Sequence, residues 1–265
     1  MLTATFCHLK GLSPRSEEKL WISGILAWQH LRGTETSPFS AAKTANVRAQ
    51  LDESDRALLD GNAKHFLDGL PPAYLPRVYP HFRDRIAYVD IETTGLDTWS
   101  TITTIALYDG KAVRTFVRGR NLQEFPKAMD EFQIVVTYNG ARFDLPFIRR
   151  EFGIPLDLPH LDLMRPLRAT GLRGGLKACE KTVGIRRQVP EDIDGFEAVR
   201  LWYAHQSGKA DALEKLLAYN SQDVLSLELL LIHVYNNSMR GYPLFHPLPL
   251  PVQPRLHWPG GHSSG

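Results

Sequence analysis

The 265-residue chain carries 31 Lys and Arg against 29 Asp and Glu, a formal net charge of +2, with 43% hydrophobic and 23% charged residues. This is the balance of a globular protein, long enough for one large α/β domain plus an appended segment, and no apolar run approaches the roughly 18 residues of a membrane span. Residues Met1-Leu2-Thr3-Ala4-Thr5-Phe6-Cys7-His8 lack a basic stretch followed by an apolar one, so no signal peptide is expected. The two cysteines, Cys7 and Cys179, are too few and too far apart for a disulfide framework or a zinc site. A reduced, cytoplasmic setting without a membrane is the expectation.

Residues 1–80 form a helical N-terminal segment by pattern. Ser16 precedes Glu17 and Glu18, acids that favour a helix N-terminus, and the series Leu20, Trp21, Ile25, Trp28, Leu31 runs to a stop at Gly33. After the polar stretch 33–38, a second helix is predicted near 39–49 and a third from Asp52 to Leu67, closed by Gly69 and Pro71-Pro72. No catalytic motif is visible there. Such helices pack on the following domain or guide substrate to it.

The domain of residues 81–240 begins with Ile86-Ala87-Tyr88-Val89-Asp90-Ile91, a short apolar run typical of a buried strand. Thr101–Tyr108 and Ala112–Val117 are two further strands, joined by Asp109-Gly110 and therefore antiparallel. A helix near 121–131, a strand Gln133–Tyr138, a helix Phe143–Phe152 and a short strand at 160–163 follow. A basic helix at 174–184 and helices from 195 to 237 complete the domain. A hairpin followed by alternating strands and helices predicts an α/β fold, a mixed sheet flanked by helices. Residues 241–265 are proline-rich and predict an extended or disordered tail.

Three pieces carry chemistry. In Asp90-Ile91-Glu92-Thr93-Thr94-Gly95, residues two apart on a strand face the same way, so two carboxylates project together and repel unless a cation lies between them. In Tyr138-Asn139-Gly140-Ala141-Arg142-Phe143-Asp144, Asp144 falls in the first turn of a helix that leaves the sheet. In Tyr219-Asn220-Ser221-Gln222-Asp223, residues four apart share a helix face. Each has a plainer reading in isolation: a strand ending in solvated acids, an acid at a helix N-terminus, an aromatic above a surface acid.

Together they resemble the motifs of the DEDD exonuclease superfamily, in order and in placement, over about Ile86 to Tyr235. The first matches its Asp-x-Glu-Thr-Thr-Gly signature, and the second is similar to the Asn-Gly-x-x-Phe-Asp-x-Pro element of family B polymerase proofreading domains. The third has the Tyr-x-x-x-Asp form, because Ala218 stands where the other form has histidine. Phe6-Cys7-His8-Leu9-Lys10-Gly11-Leu12, the helix Glu17–Trp28, His160-Leu161-Asp162-Leu163 and Leu176–Lys181 make the chain similar to the YprB-like group of ribonuclease H-fold nucleases.

The resemblance implies a ribonuclease H-like fold and a 3′→5′ exonuclease on single-stranded nucleic acid or a free 3′ end. It implies two divalent cations, Mg2+ or Mn2+, held by Asp90, Glu92, Asp144 and Asp223, with Tyr219 orienting the attacking water. Substrate contacts are expected from Thr93, Asn139, Phe143 and the basic residues Arg165, Arg168, Arg173 and Lys177. That basic run continues through Lys181, Arg186 and Arg187 and is broken by the single acid Glu180. Phe143 also reads as a core anchor, His160 as a hydrogen-bonded core histidine, Cys179 as packing, and the basic run as a solvated face. A structure-selective endonuclease, an inactive nucleic-acid-binding module and an interaction protein working through its N-terminal helices are the competing functions.

Overall fold

The structure, a computed structural model, describes residues 2–190, 193–242 and 244–259. It divides into two compact units, Met1–Arg83 with Leu231–Pro249, and Asp84–Leu230 with Leu250–Gly265.

The first unit is built on α1 (Pro14–Ile22), α2 (Trp28–Gly33), α3 (Ala41–Leu59), α4 (Ala63–Gly69) and α5 (Tyr79–Phe82), the last preceded by a 3-10 stretch, Pro72–Val78. The single helix expected up to Gly33 is two. Ser13, not Ser16, is the cap: its Oγ accepts from the Ser16 amide at 3.2 Å and Pro14 opens the first turn, while Gly24 at φ 84° turns the chain before α2. The break expected between 49 and 52 does not occur, since nothing in Gln50-Leu51-Asp52 interrupts a helix, and α3 runs on to Leu59. Glu17 is not a solvated helix-end charge. It is fully buried, accepts from the amides of Phe6 (2.5 Å) and Cys7 (3.0 Å), and pairs with buried Arg77 at 2.7 Å. Arg77 lies 4.4–5.8 Å from the ring centroids of Tyr74, Tyr242 and Trp21, and the Trp28 indole donates to Thr5 O at 2.7 Å. The Phe6-Cys7-His8 stretch is thus the buried anchor of this unit.

The second unit holds a five-stranded sheet in the order β3-β2-β1-β4-β5, with β1 (Ile86–Thr93), β2 (Ile102–Tyr108), β3 (Val113–Val117), β4 (Ile134–Thr137) and β5 (His160–Asp162). β1, β2 and β3 pair antiparallel, and β4 and β5 add in parallel, giving the mixed sheet expected of a ribonuclease H-like fold. The hairpin turn forms as Asp109-Gly110 predicts: Asp109 Oδ1 accepts from the amides of Lys111 and Ala112, and Gly110 adopts φ 87°. Helices α6 (Phe125–Met129), α7 (Asp144–Phe152), α8 (Met164–Ala169), α9 (Leu176–Val183), α10 (Gly195–Gln206) and α11 (Ala212–Ser238) complete the order, α11 passing from this unit into the first at Leu231. The predicted helix near 121–131 is a 3-10 turn, Leu122–Glu124, running into the shorter α6, and α8 was not expected.

Alternation along β1 sorts the two faces. Ala87, Val89 and Ile91 enter a core with Phe125, Met129, Leu145, Phe147 and Ile148 of α6 and α7. Asp90 and Glu92 therefore face the other way, towards the face on which Asn220 of α11 reaches Thr104 of β2 at 3.1 Å. A second core joins Leu201 and Trp202 of α10 to Leu213 and Leu216 of α11. Leu256 and Trp258 of the proline-rich tail pack on this core, while Leu250 and Val252 are exposed; residues 260–265 lie outside the described residues. Among the described residues no helix is long and apolar enough to cross a membrane.

Candidate active site

The acids separated by up to 133 positions in sequence converge where β1 and β4 part. β4 follows β1 only from Ile86 to Tyr88, so the backbone of β1 beyond that point needs other partners on this side. Asp144, the first residue of α7, fills one of them: its Oδ1 accepts from the Ile91 amide at 3.2 Å. Asp90, Glu92 and Asp223 offer carboxylate oxygens that all lie within 4.8 Å of one another. Asp144 is buried beside this trio without belonging to it by that measure.

The turn that delivers Asp144 explains why its sequence is Asn-Gly. Asn139 adopts φ 61°, a conformation asparagine tolerates better than most residues. Gly140 packs so closely that a Cβ would stand 2.1 Å from Thr137 Oγ1. Asp162, at the end of β5, ties the turn down by accepting from the amides of Asn139 (2.8 Å), Ala141 (3.3 Å) and Met164 (3.0 Å). His160 Nε2 lies 2.9 Å from Thr137 Oγ1, which accepts from the Gly140 amide at 3.1 Å. His160 and Asp162 therefore hold the turn that precedes Asp144. Phe143 packs against the core and lies 4.9 Å from the ring of Phe147, the anchoring role among its two readings.

Burial and mutual repulsion govern the charge of the site. Desolvation, then the neighbouring carboxylates, raise Asp90 and Glu92 well above the usual carboxylate range, although the Asn220 amide donates to Asp90 Oδ2 at 2.8 Å and pulls Asp90 back. Burial likewise pushes Asp144 up to about 7 against the pull of backbone amides, and Asp223 to about 6 against the pull of Arg187. Tyr219 lies one turn before Asp223 in α11. Burial, followed by Asp223, Glu92 and Asp90, drives its phenol far up, so it stays protonated and can donate but not act as a base.

Of the basic residues expected to meet substrate, Lys177 reaches the acids: its Nζ lies 5.1 Å from the Tyr219 ring centroid, and its charge draws Glu92 down. Arg165, Arg168 and Arg173 are exposed on α8 and in the loop after it. Thr93 is buried, and its hydroxyl donates to Gly95 O at 2.6 Å, shaping the turn that follows the acids. Trp28 and Trp202 are core residues, whereas Trp99, on the loop after that turn, is 90% exposed. Both cysteines are free and buried.

Three residues at the site were not legible as functional. Asn220 bridges Asp90 and Thr104. Arg187 donates to Asp223 Oδ1 at 2.5 Å and to both oxygens of Glu180 at 2.8 Å. Burial opposes the guanidinium charge, but Asp223 and Glu180 outweigh it. The signal available was the one acid inside a basic run, which marks a paired charge as readily as a solvated one.

The donor set is all carboxylate, Asp90 half-buried and Glu92 and Asp223 buried, which fits a hard divalent cation better than a soft one. A family model of the RNase_H superfamily matches residues 87–235, more than half of the chain. The chain belongs to the RNase_H superfamily. Its mixed sheet with flanking helices is the RNase H-like fold of that superfamily, and Asp90, Glu92, Asp144, Tyr219 and Asp223 all lie within the matched residues. The uncharacterized protein YprB of Bacillus subtilis (strain 168) is 30% identical over 176 residues, 57% of this chain and 42% of that protein, so the chain spans less than half of that relative's length. The family B DNA polymerase of the hyperthermophilic archaeon Pyrobaculum calidifontis aligns with 60% of this chain and 26% of its own, at a TM-score of 0.44 and 18% identity.

Proposed function

We propose that the chain is a metal-dependent nuclease of the DEDD type, a 3′→5′ exonuclease on single-stranded nucleic acid that hydrolyses phosphodiester bonds. The observation that carries this reading is the convergence of Asp90, Glu92 and Asp223 within 4.8 Å, with Asp144 buried alongside. So many buried acids destabilise a fold unless cations compensate them, and plain binding of nucleic acid has no use for them. Asp90, Glu92 and Asp223, with Asp144 on a second position, would hold two Mg2+ or Mn2+ ions, which when bound stabilise charge on the attacking and leaving oxygens of an in-line displacement. Tyr219, held protonated, donates a hydrogen bond that orients the attacking water. Lys177 adds positive charge beside the acids, and Thr93 and Asn139 fix the two turns that border the substrate. Arg165, Arg168 and Arg173 follow the strand away from the site.

A time course on end-labelled single-stranded DNA and RNA with Mn2+ or Mg2+ tests the reading. A ladder shortening from the 3′ end is expected, and Asp90→Ala, Glu92→Ala and Asp223→Ala should each lower the rate at least about a hundredfold. Internal cuts would make it an endonuclease on the same acids. Undiminished cleavage in EDTA or in Asp90→Ala would overturn the mechanism.

A further inference from the structure

Arg187 belongs by sequence to a basic run, yet its side chain is 4% exposed and is clasped by two carboxylates. Glu180 takes only Nη1, with both oxygens at 2.8 Å, and Asp223 takes Nη2. The third guanidinium nitrogen, Nε, is buried and has no hydrogen-bond partner among the described residues. Nε and Nη2 lie on one edge of the guanidinium, so the nitrogen that holds Asp223 stands beside one that holds nothing. A buried, unused donor on a charged group is costly unless something else occupies it at another stage.

The backbone around Arg187 is fixed from several directions. α9 closes at Gly184 (φ 79°), with the Ile185 amide donating to Glu180 O at 2.9 Å. The Gln188 amide donates to Gln222 Oε1 at 2.6 Å, next to Asp223 in α11. The Gln188 side chain is held by Pro254 O at 2.9 Å and by the Leu256 amide at 3.0 Å, so the docked tail braces this segment. Beside it opens a cavity of about 500 Å³ lined by Lys177, Lys181, Arg186 and Arg187 together with Glu180, whose charge is already matched by Arg187.

We propose that Arg187 is a substrate-binding residue that takes a non-bridging oxygen of the scissile phosphate through its Nε–Nη2 edge, and that the adjoining cavity seats the next phosphates of the strand. The assignment rests on the nuclease reading above. Were a divalent cation held by the acids, the guanidinium 2.5 Å from Asp223 Oδ1 would stand beside like charge. An arriving phosphate supplies the missing anion and matches the parallel donors of an arginine edge. Glu180 keeps hold of Nη1 throughout, so the exchange never leaves a bare buried cation.

The test uses the full chain with Arg187→Ala, Arg187→Lys and the pair Lys181→Ala/Arg186→Ala. Mn2+ uptake is read by titration calorimetry, affinity for a labelled oligothymidylate in Ca2+, and single-turnover cleavage in Mn2+. Arg187→Ala should bind Mn2+ at least as tightly as wild type, because a competing cation is gone, and yet cleave about 10²–10³-fold more slowly. Arg187→Lys should recover little, since a point charge cannot supply two parallel donors. The double variant should lower the slope of log affinity against log salt by about 0.7 for each phosphate it no longer neutralises. Arg187→Ala losing Mn2+ affinity and thermal stability together would make Arg187 a structural residue, and cleavage at the wild-type rate would remove it from the reaction; either overturns the proposal. An unchanged salt slope overturns the role of the cavity. If wild type itself takes up no Mn2+ and cleaves nothing, the nuclease reading fails and this assignment falls with it.

Discussion

Replacing Asp144 by Asn in the metal-free protein is the perturbation whose sign the structure fixes best. Asp144 is 3% exposed, and burial pushes its carboxyl up to about 7 from an ordinary 3.8. Below pH 3.8 the group is protonated in both the folded and the unfolded chain and leaves stability independent of pH. Between 3.8 and about 7 the folded chain keeps a proton that the unfolded chain has lost, so the fold weakens as pH rises, and above about 7 the whole penalty is present. That separation corresponds to ~4 kcal/mol, and at ~2–4 °C per kcal/mol for a chain of this size it sets an upper bound of ~8–16 °C in melting temperature. Repulsion shared with Asp90, Glu92 and Asp223 relaxes when any one of them takes a proton, so a shift of ~5 °C is the working expectation. Asn keeps an oxygen for the Ile91 amide at 3.2 Å and removes only the charge. In EDTA, Asp144→Asn should therefore melt ~5 °C above wild type at pH 8 and level with it near pH 4. Mn2+ at pH 8 should raise wild type more than the variant. A variant that melts below wild type at both pH values would refute the reasoning, because the Ile91 hydrogen bond would then outweigh the buried charge.

Three further outcomes are expected. Mn2+ affinity should rise with pH through about 6–7, as Asp223 and Asp144 give up their protons, and calorimetry in buffers of different ionisation enthalpy should record proton release; affinity flat from pH 5.5 to 8 would contradict it. Tyr219→Phe should slow single-turnover cleavage about ten- to a hundredfold while leaving oligonucleotide affinity unchanged, and the wild-type rate should show no alkaline step from this phenol. Gly140→Ala, whose Cβ would stand 2.1 Å from Thr137 Oγ1, should shift the turn that carries Asp144 and lower both melting temperature and Mn2+ affinity; an unchanged variant would show that the turn gives way freely.

What the sequence made legible follows the reach of local geometry. The two-residue repeat of a strand puts Asp90 beside Glu92, and the four-residue repeat of a helix puts Tyr219 above Asp223, whatever surrounds them. The Asn139-Gly140 pair announces a sharp turn because few other residues accept φ 61° followed by so close an approach to Thr137. Helix ends in the N-terminal segment were less legible. Ser13 and Ser16 are equally good caps by type, and only Pro14 distinguishes them, since a proline suits the first turn. Glu17 looks like any acid in a first helical turn, and nothing local reveals that Arg77, 60 positions later, and the amides of Phe6 and Cys7 bury it.

The same limit applies with more consequence to Arg187. Seven cations between Arg165 and Arg187 look alike in sequence, and only the meeting of α9 with α11 singles out the one that touches Asp223, 36 positions away. That contact also makes the acids unequal. Asp90 is met by an amide from Asn220, Asp144 by a backbone amide, and Asp223 by a full positive charge. Asp223 is raised only to about 6 where Asp144 reaches about 7 and Asp90 stands well above the usual range. The guanidinium accordingly favours the charged form of Asp223 more than an amide favours that of Asp90 or Asp144. A divalent cation held by the cluster would share Asp223 with the guanidinium that already pairs with it. The Arg187–Asp223 ion pair is thus the point at which the proposed metal site and the proposed phosphate contact would meet, and Arg187→Ala separates the two.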